Sequence, residues 1–323
     1  MYLWFRVMTV RCDAIRELES LFSRIHQLPR LETINLTFDP IYDKYSNVDL
    51  DDRGCASLQE LILRALSASF GVRAPSKLTS LSLHNLRTSD PPALETFPFH
   101  TILTTLCRLQ LSVLFDSIPI PSTFFARWRH FWSTLFPHMP AVPVQTQTSL
   151  TELTLHSDEY VGAHCGLSLR ELHSPHLTML SLRSIVFDPS LGAEDFILRH
   201  AGTLARLKLL ECKVLMSANR FPSPSPCTTV TTDVKLDPSP YWDRIWDRFA
   251  IELTALVTLY VDEPHDNRGF RTSKEIRYVH YRSPHYRLIY GNESRIAADL
   301  AALKRFYATV AARAQSKEKY VES

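Results

Sequence analysis

Four groups of side chains in this chain have the types and spacing that chemistry would need. His173-Ser-Pro-His176 places two imidazoles three residues apart, a spacing at which histidines can share a metal. Pro175 between them breaks helical geometry and no third ligand is near in sequence, so no metal site is expected there. His164-Cys165 has the composition of a thiol nucleophile beside a base, and Asp158-Glu159 that of an acid pair. A thiolate also needs a cleft and a positioned base, which adjacency alone does not supply. Asp158 and Glu159 directly follow a strand-like segment and read as a solvated turn. An enzyme using His164, Cys165, His173 or His176 is therefore the lesser expectation. No catalytic residue, cofactor or metal is assigned.

The elements that would position such groups are set by a leucine pattern. Leu150-x-x-Leu153-x-Leu155, Leu177-x-x-Leu180-x-Leu182 and Leu204-x-x-Leu207-x-Leu209 repeat at an interval of 27 residues, and the last ends on Cys212. This is the leucine-rich repeat signature. In a strand the two leucines of L-x-L point to one face, and the leucine three residues earlier reaches the same core from the preceding turn. One such unit cannot cover its own apolar edge, so copies stack. Weaker copies begin at Leu31, Leu58, Leu78, Leu106 and Leu256. The expected fold is α/β: a curved leucine-rich repeat solenoid with strands centred on Ile34, Leu61, Leu81, Leu109, Leu153, Leu180, Leu207 and Leu259. The parallel sheet would line the inner face, with helices and loops outside.

Three regions follow: an N-terminal capping helix over 1–30, the solenoid over 31–265, and a capping segment over 266–323 that ends in a helix. Two insertions, 115–149 and 213–240, interrupt the repeats. The first carries Phe124, Phe125, Trp128, Phe131, Trp132 and Leu135 at helical spacing, which reads as a core-facing helix. The second, with Ser223 and Ser225 each before proline, reads as a polar surface loop, and Trp242, Ile245, Trp246, Phe249 and Leu253 then line a helix. The closing region carries twelve Lys or Arg against six Asp or Glu.

Charge and composition narrow the function. With 36 Lys and Arg against 34 Asp and Glu, the formal charge of +2 argues against a dedicated nucleic-acid binder. Six scattered cysteines without a C-x-x-C pair read as reduced thiols. No signal peptide or membrane-length apolar run is present in the sequence, so cytoplasm or nucleus is the expected location. The side chains flanking the strand leucines then become the working surface. Arg108, Glu152, His156, Met179, Arg183, Arg206, Lys208 and Tyr260 are the expected partner contacts, with Arg183, Arg206 and Lys208 forming a basic cluster suited to an acidic partner.

From Leu150 onward the chain resembles the leucine-rich repeat region of the filamentous-fungal F-box proteins. Leu150-Thr-Glu-Leu-Thr-Leu-His-Ser-Asp-Glu-Tyr160, Ser174-Pro-His-Leu-Thr-Met-Leu-Ser-Leu182, Phe187-Asp188 through Phe196-Ile-Leu-Arg-His200, and Thr203-Leu-Ala-Arg-Leu-Lys-Leu-Leu-Glu-Cys212 carry the likeness. The Trp-rich helix at 241–249 and the closing helix fit the same pattern. The resemblance implies a non-enzymatic substrate receptor of a cullin-type ubiquitin ligase, whose F-box binds the ligase adaptor while the repeats hold a protein substrate. The chain departs from that pattern before its first repeat: Leu28-Pro29-Arg30 runs straight into repeat leucines, and no F-box core precedes it. The adaptor is thus an expected partner only if an F-box is missing from this sequence. An F-box-less relative of such receptors is the other form of this reading, and a free-standing scaffold without a ubiquitin link is the alternative.

Overall fold

The computed structural model describes residues 2–7, 12–38, 52–72, 78–88, 92–114, 129–133, 149–162, 167–170, 172–219, 241–262, 278–282, 285–289 and 293–321. It is an α/β arrangement with mostly parallel strands. The chain divides into two compact units: Met1–Glu159 with His164–Leu167 and Glu171–Ser181, and Tyr160–Ala163 with Ser168–Arg170 and Leu182–Ser323. Among the described residues no helix is long and apolar enough to cross a membrane.

The first unit is a parallel ladder. Strands β1 (Tyr2–Val7), β2 (Thr33–Phe38), β3 (Ser80–Arg87), β4 (Arg108–Leu114) and β5 (Glu152–Val161) lie side by side in that order. Their leucines are in register: Ile34 pairs with Leu81, Leu81 with Leu109, and Leu109 with Leu153. The first leucine of each repeat, at Leu31, Leu78, Leu106 and Leu150, is buried beneath the turn that enters the strand. Burial alternates along β2 and β4, as expected for a sheet packed on one face. Each fully buried leucine contributes about 1.5–3 kcal/mol.

Helices α1 (Cys12–Ser23), α2 (Asp52–Val72) and α3 (Phe97–Thr105) connect these strands, and a helical turn over 129–133, α4, buries Phe131 and Trp132 edge to face at 5.5 Å. That agrees with a core role for those two aromatic residues; Phe124, Phe125, Trp128 and Leu135 lie outside the described residues. One repeat is corrected. Leu58, Leu61 and Leu63 lie within α2, so the strand expected at Leu61 is a helix. There Ile62, which a strand would place on the face opposite the leucines, is fully buried, while Leu61 is half-buried. β1 was not expected, and it matches the pattern in register, with Leu3 opposite Ile34 and Phe5 opposite Leu36.

In the second unit the repeats acquire a bend. β5 and β6 (Met179–Phe187) each contribute residues to both units; after them come α5 (Ala193–Arg199), β7 (Arg206–Leu210) and β8 (Lys213–Asn219). Ser184 (φ 58°) and Glu211 (φ 51°) adopt left-handed backbone, each seven residues after its first leucine, Leu177 or Leu204. Asn85 (φ 59°) holds the same place after Leu78 in the first unit, and there the β3–β4 register shifts. Such bends send the chain into a second short strand. Val186 of β6 therefore pairs with Lys213 of β8, so Lys213–Asn219, expected within a polar insertion, is strand instead. Residues 220–240, with Ser223 and Ser225, lie outside the described residues.

The remainder closes the second unit. α6 (Trp242–Glu252) buries Trp242, Ile245, Trp246 and Phe249, as its spacing predicts. β9 (Thr258–Asp262) pairs with β7 in parallel, and β10 (Tyr278–Arg282) pairs with β8 and, antiparallel, with β11 (His285–Ile289). α7 (Glu293–Val321) runs alongside α6 in the same direction and satisfies both of its ends. Buried Asp299 accepts from the Asp243 amide at 3.0 Å and from the Tyr278 hydroxyl at 2.7 Å, supplying the acidic cap that Tyr241 lacks. Burial, reinforced by the Asp299 charge and hydrogen bond, pushes the Tyr278 phenol well above its ordinary pKa. At the other end Arg313 donates to the Leu253 carbonyl at 2.8 Å and the Ala250 carbonyl at 2.6 Å.

Candidate protein-interaction face

On the ladder strands after β1 the side chains that alternate with the repeat leucines point the other way, and they form the candidate face. In the first unit Arg108 on β4 stands opposite Glu152 on β5, a cross-strand pair of opposite charge. Ser112 stands opposite His156, whose Nε2 lies 3.0 Å from the Ser181 hydroxyl. His84, the corresponding residue of β3, is half-buried, and desolvation holds its imidazole below the ordinary histidine pKa. Met179, at the start of β6, is half-buried. The first-unit face is therefore close to neutral and built of small polar groups, with Ser80 and Ser82 largely buried between neighbours.

The second unit presents a different surface. Arg206 on β7 is exposed and pairs in register with exposed Thr258 on β9; the next pair on that face is Lys208 with Tyr260. The Lys208 ammonium sits 5.0 Å from the Tyr260 ring centroid, within cation–π range, and Tyr260 keeps 49% of its surface exposed. Arg183 reaches Glu211 at 2.8 Å. Within the basic cluster expected at Arg183, Arg206 and Lys208, Arg183 is matched by a carboxylate supplied from the bend after β7. Nothing in the spacing signals that partner, which lies at the left-handed bend after β7.

β9 is the last strand of its ladder among those described, which leaves Leu259 half-buried rather than in the core. Its outer edge is partly closed by α7. The Tyr307 hydroxyl accepts from the Val261 amide at 3.0 Å, occupying a place that a further strand would take.

The groups considered for chemistry are not brought together by the described residues. His164 and Cys165 lie outside them. His173 is half-buried and His176 exposed on the turn that enters β6, where the Leu177 amide donates to the Ser174 carbonyl. Asp158 and Glu159 are exposed near the end of β5, in strand rather than in the turn expected for them. Among the described residues there is no group of three or more His, Cys, Asp or Glu that could hold a metal ion. A hollow of about 520 Å³ lies along α1, lined by residues including Glu17, Leu21, Arg24 and Leu28 and by none of the expected site residues. Cys212 donates to the Leu182 carbonyl across 3.6 Å, and burial pushes its thiol up to about 12. That is the opposite of an activated nucleophile. Comparison with family models, with curated proteins and with solved structures finds no match for this chain.

Proposed function

We propose that the chain is a leucine-rich repeat solenoid acting as a protein-recognition module without chemistry of its own, and that it serves as a substrate receptor of a cullin-type ubiquitin ligase. One observation carries the recognition reading. Within each unit, parallel strands in register bury repeat leucines on one face and leave a set of mixed side chains on the other. In the second unit that set includes exposed Arg206, Thr258 and Tyr260. A face built this way offers many shallow contacts to a macromolecule. The ubiquitin link rests on the resemblance of the segments from Leu150 to Cys212 to fungal F-box repeat regions.

Site-specific photo-crosslinking tests the recognition reading. A benzophenone amino acid placed at Thr258 or Arg108 should capture a protein partner in cells, whereas the same group at Arg244, exposed on α6, should not. Equal capture from Arg244 would remove the ladder face as the contact surface. Co-purification of the cullin adaptor with the tagged chain tests the ligase assignment. A partner captured from the ladder without any adaptor would instead mark a free-standing scaffold.

A further inference from the structure

Resting on the reading of the ladder face as the contact surface, we infer that β7 and β9 take an extended acidic peptide segment with carboxylates at alternate positions. The argument is one of matched spacing. Along these two strands the first two outward pairs are Arg206 with Thr258 and Lys208 with Tyr260, before the register ends at Leu210 and Asp262. Each pair joins one cation to one hydroxyl-bearing side chain. The pairs are two residues apart, about 6.6 Å at strand rise. An extended peptide presents every second side chain to one face at that same interval. A carboxylate has two oxygens, of which one takes the ammonium or guanidinium and the other a hydroxyl.

Two further features favour such a ligand. Lys208 is held over the Tyr260 ring, so part of the rotamer freedom of its long side chain is already lost before binding. Tyr260, half exposed, also offers an apolar ring against which the methylenes of a glutamate can lie. The nearby Glu211 is directed to Arg183 at 2.8 Å. An extended nucleic-acid strand is also a chain of regularly spaced anions. It calls for a broad positive field, however, and the chain carries a formal charge of only +2.

The experiment uses the full chain and two fluorescein-labelled dodecapeptides of identical composition. One has glutamate at every second position among serine and glycine; the other has the same glutamates as Glu-Glu pairs separated by two serine or glycine residues, so that no two glutamates stand two residues apart. Fluorescence anisotropy should show tighter binding of the alternating peptide, weakened by added salt because the attraction is screened over roughly 8 Å at physiological ionic strength. Lys208→Ala should weaken it about fivefold, as expected for an exposed charge pair. Tyr260→Phe, which keeps the ring and removes the hydroxyl, should weaken it about threefold. Both variants should melt with the parent protein, and Lys304→Ala on α7 should bind as the parent does. Equal affinity for the two peptides overturns the alternate spacing, as does unchanged binding by Lys208→Ala. Tighter binding of an oligonucleotide of equal charge overturns the peptide assignment. If the peptides fail to discriminate while Thr258 still crosslinks a partner, only this inference falls. If crosslinks come from Arg244 as well, the recognition face falls first.

Discussion

Leu58–Leu63 and Leu204–Leu209 carry the same pattern, L-x-x-L-x-L, and fold differently. The first is part of α2, the second runs into β7. In β7 Leu207 and Leu209 are buried while exposed Arg206 and half-buried Lys208 alternate with them, the signature of a half-covered strand. In α2 the buried residues include Gln59, Ile62, Leu63, Leu66 and Ser69, recurring at three or four, which is the helical interval. Leucines at i, i+3 and i+5 satisfy either period over so short a window. The surroundings decide. Leu58 sits in a 21-residue run rich in leucine, alanine and other helix formers, whereas Leu204 follows a tight turn at 200–203. α2 also does a strand's work from the side. The Gln59 amide donates to the Arg87 carbonyl at 3.0 Å and accepts from the Arg87 amide at 2.8 Å, pairing the far end of β3 as a neighbouring strand would.

The largest expected effects come from placing a charge on each side of that divide. Leu207→Asp should cost about 3–5 kcal/mol in chemical denaturation, because the carboxylate has no partner in the leucine core. Ile62→Asp should cost as much and Leu61→Asp much less, since only Ile62 is fully enclosed. The reverse order would restore the strand at Leu61. A proline reads the same difference through the backbone. Arg64→Pro, at an exposed position inside α2, should cost about 3 kcal/mol, and a loss below about 1 kcal/mol would show that the segment is not helical.

Smaller effects are expected at the bend that belongs only to the strand form of the repeat. Glu211→Val should lose about 1–2 kcal/mol, because a β-branched side chain resists left-handed backbone. Glu211→Gly should lose almost nothing, since glycine adopts that backbone freely and the exposed ion pair to Arg183 contributes little. Equal melting temperatures for the two variants would remove the bend. Next to it, Cys212 should stay unreactive to a thiol reagent at pH 8 in the folded protein and react on denaturation. Its folded pKa of about 12 lies above that of an unfolded thiol. Its contribution to stability is therefore fully present below about pH 9 and is lost as the pH rises toward 12. Rapid labelling at pH 8 under native conditions would place the thiol in solvent.

Most of the ladder was legible because a strand's burial is a local property. When leucines alternate with polar residues and recur at a fixed interval, as at 150, 177 and 204, the only way to bury them all is to stack the strands side by side. The core face of α6 was legible for the same reason, since Trp242, Ile245, Trp246 and Phe249 mark one side of a helix by spacing alone. The identity of the outward residues on β7 and β9 followed directly. What the tertiary structure alone decided depends on groups distant in sequence. The Gln59 side chain of α2 meets the far edge of β3 at Arg87, 28 residues away, a pairing that no local pattern encodes. Strand at Lys213–Asn219 exists because β6 and β10 offer it partners. The expected basic cluster lost Arg183 to Glu211, and Lys208 was set against Tyr260, because a left-handed residue and a cross-strand register brought them together. Periodicity settles which side of an element is buried; which side chains then meet on the other side is settled by register and backbone bends, which no local pattern encodes.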